Sequence, residues 1–214
     1  MVNEVLPTHI PIFPLPNIVL FPNVFLPLHI FESRYRDLTR DILAGDRIIG
    51  MVLLREGWDR TVDPNPPIYP VGCAGLVTHV ETLTDGRYNI VLRGVERFRI
   101  QNEDQTHTYR RANVNFMTEQ ITAEDRIQLR INRQRLEQLL DQPLFTAASK
   151  SKLPPDIPDN YLINALAQHL EFEPIEKQAL LERNGACERC QALIELLEMR
   201  QLLRSLPMPQ CGLQ

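Results

Sequence analysis

Glycine is scarce in this chain, with 9 residues among 214, whereas proline is abundant at 17. Glycine is the residue that most readily adopts positive φ, so we expect few left-handed turns and many turns that proline fixes. The sequence also lacks any apolar run long enough to span a membrane. These features predict a globular chain, organised as one large domain or as a domain with a smaller subdomain.

An excess of positive charge is absent as well, because 23 Lys and Arg stand against 27 Asp and Glu and the net charge is -4. Phosphate contacts need a local excess of Lys and Arg, so a dedicated nucleic-acid-binding protein is disfavoured. The apolar start carries Glu4, has no basic leader and is interrupted by prolines, which is unlike a signal peptide. The four cysteines are not spaced as in a secreted disulfide framework, and we predict a cytoplasmic location without membrane contact.

Several catalytic signatures are missing. Gly45 and Gly50 have the spacing of a phosphate-binding loop, but Met51 and Val52 stand where that loop needs Lys and Ser or Thr. The sequence has neither a Gly-x-Ser-x-Gly nucleophile elbow nor a His-Glu-x-x-His zinc helix. We therefore predict a protein that is not an enzyme and that needs no cofactor or metal.

The stretch from Pro11 to Asp46 organises the first half of the chain. Its short apolar runs are interrupted by prolines, which remove backbone donors, so these runs are expected to be edge strands, strand ends and turns. From Ser33 the spacing becomes helical, with Ser33 as the predicted cap and Gly45 just beyond the end. The apolar run Arg47–Arg55 predicts a strand that is buried on both faces.

A hairpin and two further strands complete a predicted β-rich region. Asp85 and Gly86 separate the runs Cys73–Leu83 and Tyr88–Arg93, and Asp-Gly favours a tight turn with positive φ at both positions. Further strands are predicted at Val95–Ile100 and Tyr109–Met117. The first of these two strands is expected to contain a bulge near Arg97.

Helix-forming residues dominate after Thr122. The fold class predicted is α+β, with a β-rich unit carrying one early helix in residues 1–118, a helical bundle in 119–204 and a flexible tail in 205–214. The predicted helices are Ala123–Leu140, Asp159–Leu170 with Asp159 as a cap, Pro174–Glu182, and Cys187–Leu203.

Two late motifs are similar to those of zinc deaminases. His169 and Glu171 form His-x-Glu, and Cys187 and Cys190 form Cys-x-x-Cys. However, Ala186 stands where the deaminase motif has proline, and the histidine and both cysteines fall on apolar helical stripes. Packing is the favoured interpretation, because a cysteine without a partner behaves as a small buried hydrophobe.

Arginines cluster at two places, and one tryptophan lies in a long loop. Arg126, Arg130 and Arg133 share a helical face, and the other cluster is Arg93, Arg97 and Arg99. For both clusters the favoured interpretation is a solvated surface with acidic neighbours, and the alternative is contact with a polyanion. His29 is expected to be a buried histidine with its hydrogen bonds satisfied. Trp58 lies in the proline-rich stretch 56–70, where it either anchors a partner or caps the β unit.

Several segments, taken together and in their order along the chain, resemble the amino-terminal domain of the Lon protease, and most closely its free-standing form. The resemblance implies that the β-rich unit is a PUA-like β-barrel, and that together with the helical bundle it recognises polypeptide. It also implies that the ATPase and peptidase lie in later domains, which these residues do not reach. The matching segments are Phe13–Pro16, Val19–Pro22, Leu26–Tyr35, Tyr69–Cys73, Asp85–Tyr88, Leu92–Phe98 and Lys177–Glu182.

The leading hypothesis is thus a non-enzymatic module that binds unfolded or flexible polypeptide. Its predicted contact residues are Arg55, Trp58, Tyr69 and Arg97, on the Trp58 loop and at the junction of the β unit with the bundle. One alternative is RNA binding through the PUA-like unit, which would require a contiguous basic surface. The other is a metalloenzyme that uses His169 with the two cysteines.

Overall fold

The computed structural model describes residues 6–57, 65–104, 106–141 and 157–205. Six strands and five helices lie in these ranges, which is an α+β architecture. Contacts group the chain into two units, one of Met1–Glu119 with Asn164–Glu182 and one of Gln120–Ile163 with Arg183–Gln214. The predicted division at residue 118 remains a proposal, and the contacts add that residues 164–182 group with the strands.

A mixed six-stranded sheet forms the first unit, in the order β2-β5-β4-β3-β1-β6. Strands β1 and β3 are parallel, and the other pairings are antiparallel. Because β5 pairs with β6 as well as with β4, the ladder closes on itself and β2 is added outside the ring. The strands are β1 His9–Leu15, β2 Phe25–Ile30, β3 Ile48–Leu53, β4 Val71–Thr82, β5 Tyr88–Asp104 and β6 Arg111–Phe116.

The apolar core of this unit lies among the strands of the ring. Its members come from every strand of the ring and are at most 4% exposed: Ile10, Ile12, Ile48, Val52, Ala74, Phe98, Ala112 and Val114. All six residues of β3 are buried, which confirms the prediction of a strand covered on both faces. A continuous apolar run is typical of such a strand.

The prolines of β1 do not confine it to an edge, so that prediction was wrong. Strand β1 lies between β3 and β6. Its first half pairs with β6 at residues 9–11 and its second half with β3 at residues 12–15. Each half therefore pairs along one side only, which leaves room for Pro11 and Pro14 without the loss of a ladder bond. Strand β2, which contains Pro27, does lie at the edge of the described sheet.

The hairpin between β4 and β5 forms where it was predicted, with a different turn. Gly86 has a φ of 79°, but Asp85 is not among the described residues with positive φ. The turn is closed by a hydrogen bond from the Leu83 amide to the Arg87 carbonyl, at 2.9 Å. The bulge predicted near Arg97 lies at Val95. There Ala74 pairs with Glu96 and Gly75 pairs with Gly94, so the register of β4 and β5 shifts by one residue.

Helix α1, Ser33–Leu43, follows β2 and covers the sheet with Tyr35, Leu38 and Ile42. Its cap residue is Glu32 rather than Ser33, and no side chain accepts a hydrogen bond there. His29, predicted to be buried, is exposed. Its Nδ1 lies 2.7 Å from Asn89 Oδ1, and its ring stacks at 6.2 Å on exposed Phe31.

Two later segments belong to the same unit as the sheet. Helix α3, Asp159–His169, begins in the second unit, and from Asn164 onward its residues belong to the first. The Gln168 side chain accepts from the Phe21 amide at 3.0 Å and donates to the Phe25 carbonyl at 3.1 Å. Helix α4, Pro174–Leu181, has proline in its first turn, as predicted, and its Gln178 donates to the Val71 carbonyl at 3.0 Å.

The second unit is built around helix α2, Ala123–Leu140, and helix α5, Gly185–Ser205. The bounds of α2 agree with the prediction, and α5 includes Ser205, the first residue of the predicted tail. The two helices pack against each other through buried leucines, among them Leu136, Leu139 and Leu197. Among the described residues, no helix combines the length and apolar character that crossing a membrane requires.

Candidate functional site

An open apolar groove lies in the second unit, between α2 and the start of α3. Its volume is about 760 Å³, enough for several side chains of a ligand. Such concave apolar surfaces are where proteins most often bind other molecules. It is lined by Ile121, Arg126, Ile127, Leu129, Arg130, Ile131, Pro158, Asp159, Asn160 and Tyr161.

Large apolar side chains are exposed in this groove. Ile127 is 65% exposed, Ile131 is 56% exposed and Tyr161 is 42% exposed. Ile127 and Ile131 are one helical turn apart and therefore lie side by side on α2. Leu129, which is only 2% exposed, also lines the groove and forms a buried part of its wall. Exposed apolar residues grouped in this way are a mark of an interaction surface.

Ion pairs of Arg133 fix the second wall of the groove. Its guanidinium donates to the Asp159 carboxylate at 2.9 Å and to the Ile157 carbonyl at 3.0 Å. A further bond joins it to Glu137 at 2.9 Å. The bond to Asp159 raises the pKa of Arg133, which therefore stays charged. Because Arg133 is buried on α2 and Asp159 is the first residue of α3, these bonds fix the start of α3 against α2 beside the groove.

The start of α2 is also held in place. Thr122 and Asp125 form a capping box, in which the Thr122 hydroxyl accepts from the Asp125 amide and the Asp125 carboxylate accepts from the Thr122 amide. These bonds lower the pKa of Asp125, so its carboxylate remains ionised. Such a box satisfies backbone donors that the first turn would otherwise leave unpaired. The groove is thus bordered by helix ends of defined geometry.

Arg55 and Tyr69, two of the predicted contact residues, lie together in the first unit. The Arg55 guanidinium lies 5.4 Å from the centre of the Tyr69 ring, and its Nε donates to the Ile68 carbonyl at 3.2 Å. Arg55 is exposed and Tyr69 half-buried, so both are accessible to a ligand. Trp58, the third predicted residue, lies outside the described residues. Its role as an anchor stays a prediction.

Arg97, the fourth predicted contact, is a buried residue with a structural role. It is 2% exposed, its Nη1 donates to the Leu181 carbonyl at 2.7 Å, and its Nη2 lies 2.6 Å from Glu119. The Leu181 carbonyl is one of those left unpaired at the end of α4, so Arg97 caps that helix. A ligand does not reach a guanidinium that is buried in this way, so Arg97 is not a contact residue.

The Cys-x-x-Cys motif lies on α5 and packs into the second unit. Cys187 donates to the Asp125 carboxylate at 3.3 Å. Cys190 is fully buried, and this burial raises the pKa of its thiol to about 12. Within the described ranges, no three His, Cys, Asp or Glu side chains are grouped as metal ligands. These contacts agree with the packing interpretation of the motif.

We expect Cys190 to resist alkylation in the folded protein. With a pKa of about 12, roughly one thiol in 10⁴ is ionised at about pH 8, and only the thiolate reacts. Iodoacetamide treatment followed by peptide mass spectrometry, before and after unfolding in urea, measures this directly. Labelling of Cys190 at equal rates in both states would contradict its burial.

The exposed isoleucines of α2 were missed by sequence reasoning, which singled out only the arginines of this helix. Arg126, Arg130 and Arg133 were assigned to one face, but Arg133 is buried whereas the other two line the groove. A usable signal was present, because Ile127 and Ile131 occupy a helical stripe different from that of Leu129 and Leu136. Apolar residues on two faces of a helix indicate two packing partners.

Comparison with known proteins finds relatives that match most of this chain. Residues 9–199 match the family model described as the ATP-dependent protease La (LON) substrate-binding domain. The Lon protease of Cytophaga hutchinsonii is 28% identical over 211 residues, which cover 92% of this chain and 25% of that protein. Lon protease 2 of Syntrophobacter fumaroxidans is 30% identical over 187 residues, covering 84% of this chain and 23% of that protein. The chain thus spans about a quarter of the length of these relatives.

Solved structures show the same fold. The N-terminal domain of the Mycobacterium avium complex Lon protease superposes with a TM-score of 0.64 at 15% identity, covering 89% of this chain and 98% of that one. A Lon N-terminal domain protein from Xanthomonas campestris gives a TM-score of 0.57 at 23% identity, covering 94% of this chain and 100% of that one. At these identities the likeness concerns the fold alone.

Proposed function

Because the chain belongs to the family of the ATP-dependent protease La (LON) substrate-binding domain, we propose that it binds flexible polypeptide without chemistry of its own. The observation that carries this proposal is the groove between α2 and α3, in which Ile127, Ile131 and Tyr161 remain exposed. Unfolded polypeptide differs from folded protein in presenting apolar side chains. An open apolar groove is a surface that can bind such side chains by removing them from water.

Other features of the proposal rest on the family and on the sequence. We place the closed sheet in the PUA-like class, the α2 and α5 helices in a bundle, and the protein in the cytoplasm. Arg55 and Tyr69 form a second proposed contact surface, in the first unit. The guanidinium lies over the ring, so a ligand would meet a charged group and an aromatic group side by side. The RNA-binding alternative stays a prediction.

Replacing Ile127 and Ile131 together with alanine is expected to weaken peptide binding at least about tenfold, because burial of an isoleucine contributes about 1.5–3 kcal/mol. The probe is a rhodamine-labelled neutral peptide of leucine, serine and glutamine, and the measurement is fluorescence anisotropy. The substitutions should leave the free energy of unfolding within about 0.5 kcal/mol, since both side chains are exposed and alanine favours helix.

The matched control is the double substitution Met199→Ala and Leu203→Ala. These side chains are 56% and 62% exposed on α5, outside the groove lining. We expect this control to bind the peptide as the unsubstituted protein does. Equal losses in both double variants would remove the groove from the proposal, and absence of binding by the unsubstituted protein would remove the function itself.

A further inference from the structure

Two arginines border the groove, and neither forms an ion pair with an acidic residue that the structure describes. We propose that the groove selects polypeptide segments in which acidic side chains lie next to apolar ones. This inference rests on the proposed function, since it names the class of polypeptide that the same groove takes. Its basis is the charge and spacing of Arg126 and Arg130 relative to Ile127 and Ile131.

The charge of the groove is positive although the chain as a whole has a net charge of -4. Arg126 and Arg130 are exposed, and in the described part of the chain neither forms an ion pair. Among the lining residues that the structure describes, only Asp159 is acidic, and its carboxylate already accepts a bond from Arg133 at 2.9 Å. The arginines therefore offer donors to a ligand, and a carboxylate is the group that matches them best.

The spacing of these residues makes the selection specific for mixed segments. Arg126 and Arg130 are one helical turn apart, as are Ile127 and Ile131. The two pairs thus form adjacent parallel rows on α2, one cationic and one apolar. A ligand that is only acidic leaves the isoleucines in water, and one that is only apolar leaves the arginines without partners. A segment that carries both kinds of side chain contacts both rows.

The test uses three labelled peptides of equal length and equal leucine content. Their polar positions hold glutamate, glutamine or lysine, and fluorescence anisotropy gives the affinity of each. We expect the glutamate peptide to bind at least about fivefold more tightly than the lysine peptide at low salt, as for a small number of exposed charge pairs. The preference should shrink between about 0.05 M and 0.5 M salt, because screening shortens the range of the interaction.

The variant Arg126→Gln with Arg130→Gln isolates the charge, because glutamine keeps helix propensity and a polar surface. It should lose most of the glutamate preference while binding the glutamine peptide within about twofold of the unsubstituted protein, within the usual spread for surface changes. The control is Arg93→Gln with Arg99→Gln, which removes two exposed arginines of β5 from the other unit. This control should keep the preference.

The possible outcomes separate this inference from the proposed function. Binding of all three peptides with equal affinity overturns the inference and leaves the polypeptide-binding function in place. Binding of none of them overturns both. A second copy as the occupant would appear in light scattering as a dimer that Ile127→Ala with Ile131→Ala dissociates, and that result also overturns the inference. Loss of the preference in the Arg93 and Arg99 control would locate the selection elsewhere.

Discussion

Alanine at position 94 is expected to destabilise the first unit by about 3 kcal/mol or more, at the upper end of what overpacking costs. A Cβ on Gly94 would lie 2.0 Å from the Phe21 carbonyl oxygen and 2.8 Å from its carbon. The backbone around Phe21 cannot withdraw, because Asn23 donates to the Gly94 carbonyl at 2.8 Å and Gly94 donates to the Val24 carbonyl at 2.9 Å. Relief of the clash therefore requires the loss of these bonds.

Urea unfolding followed by circular dichroism gives the free energy for Gly94→Ala. The matched control is Gly45→Ala, where a Cβ would lie 3.8 Å from the Asp41 carbonyl, an ordinary contact. Gly45 also has no positive φ, so alanine fits its backbone and should change the stability by less than about 1 kcal/mol. Equal effects of the two substitutions would contradict the close approach of Gly94 in β5 to the Phe21 carbonyl.

Substitution of Arg97 by methionine is expected to cost about 3–5 kcal/mol, the usual effect of breaking a buried ion pair by removing one partner. The Arg97 side chain is 3% exposed and that of Glu119 is 19% exposed, so water replaces the lost contact poorly. The substitution also removes the bond to the Leu181 carbonyl at the end of α4. Peptide affinity of the folded fraction should not change, because Arg97 is inaccessible.

The control for Arg97→Met is Arg135→Met. Arg135 pairs with Glu198 at 2.6 Å, but the two side chains are 52% and 39% exposed. Exposed pairs contribute about 0–1 kcal/mol, so this variant should remain close to the unsubstituted protein in stability. If Arg97→Met weakened peptide binding without changing the free energy of unfolding, Arg97 would be a contact residue after all.

The helices and the hairpin could be predicted because their signals are local. Thr122 caps α2 and apolar spacing extends to Leu140, so both ends of α2 were found. Strand β1 could not be placed, since the exchange of partners between Pro11 and Ile12 depends on strands distant in sequence. The cap of α1 was also misplaced. Ser33 was predicted to be the cap, but it is the first residue of the helix, and Glu32 is the cap.

The candidate site was harder to predict than the fold, because exposure is a tertiary property. Arg97 looked like a surface arginine, yet its partners are Glu119, in the segment after β6, and Leu181, at the end of α4, both distant in sequence. The sequence alone does not distinguish Ile127 and Ile131 from core residues of an amphipathic helix. Only the position of α3 shows that they face an open groove. The same sequence pattern thus serves packing and binding, and the geometry separates the two.

The central claim is that polypeptide binds between α2 and α3, and site-specific photocrosslinking tests it most directly. Tyr161, in the groove, and Tyr69, beside Arg55, would each be replaced in separate proteins by the photoreactive residue p-benzoylphenylalanine. Each protein would be irradiated with the labelled neutral peptide and the adducts quantified by mass spectrometry. We expect the position 161 protein to crosslink strongly and to lose the adduct when Ile127 and Ile131 are also alanine. Crosslinking at position 69 with none at position 161 would contradict the claim.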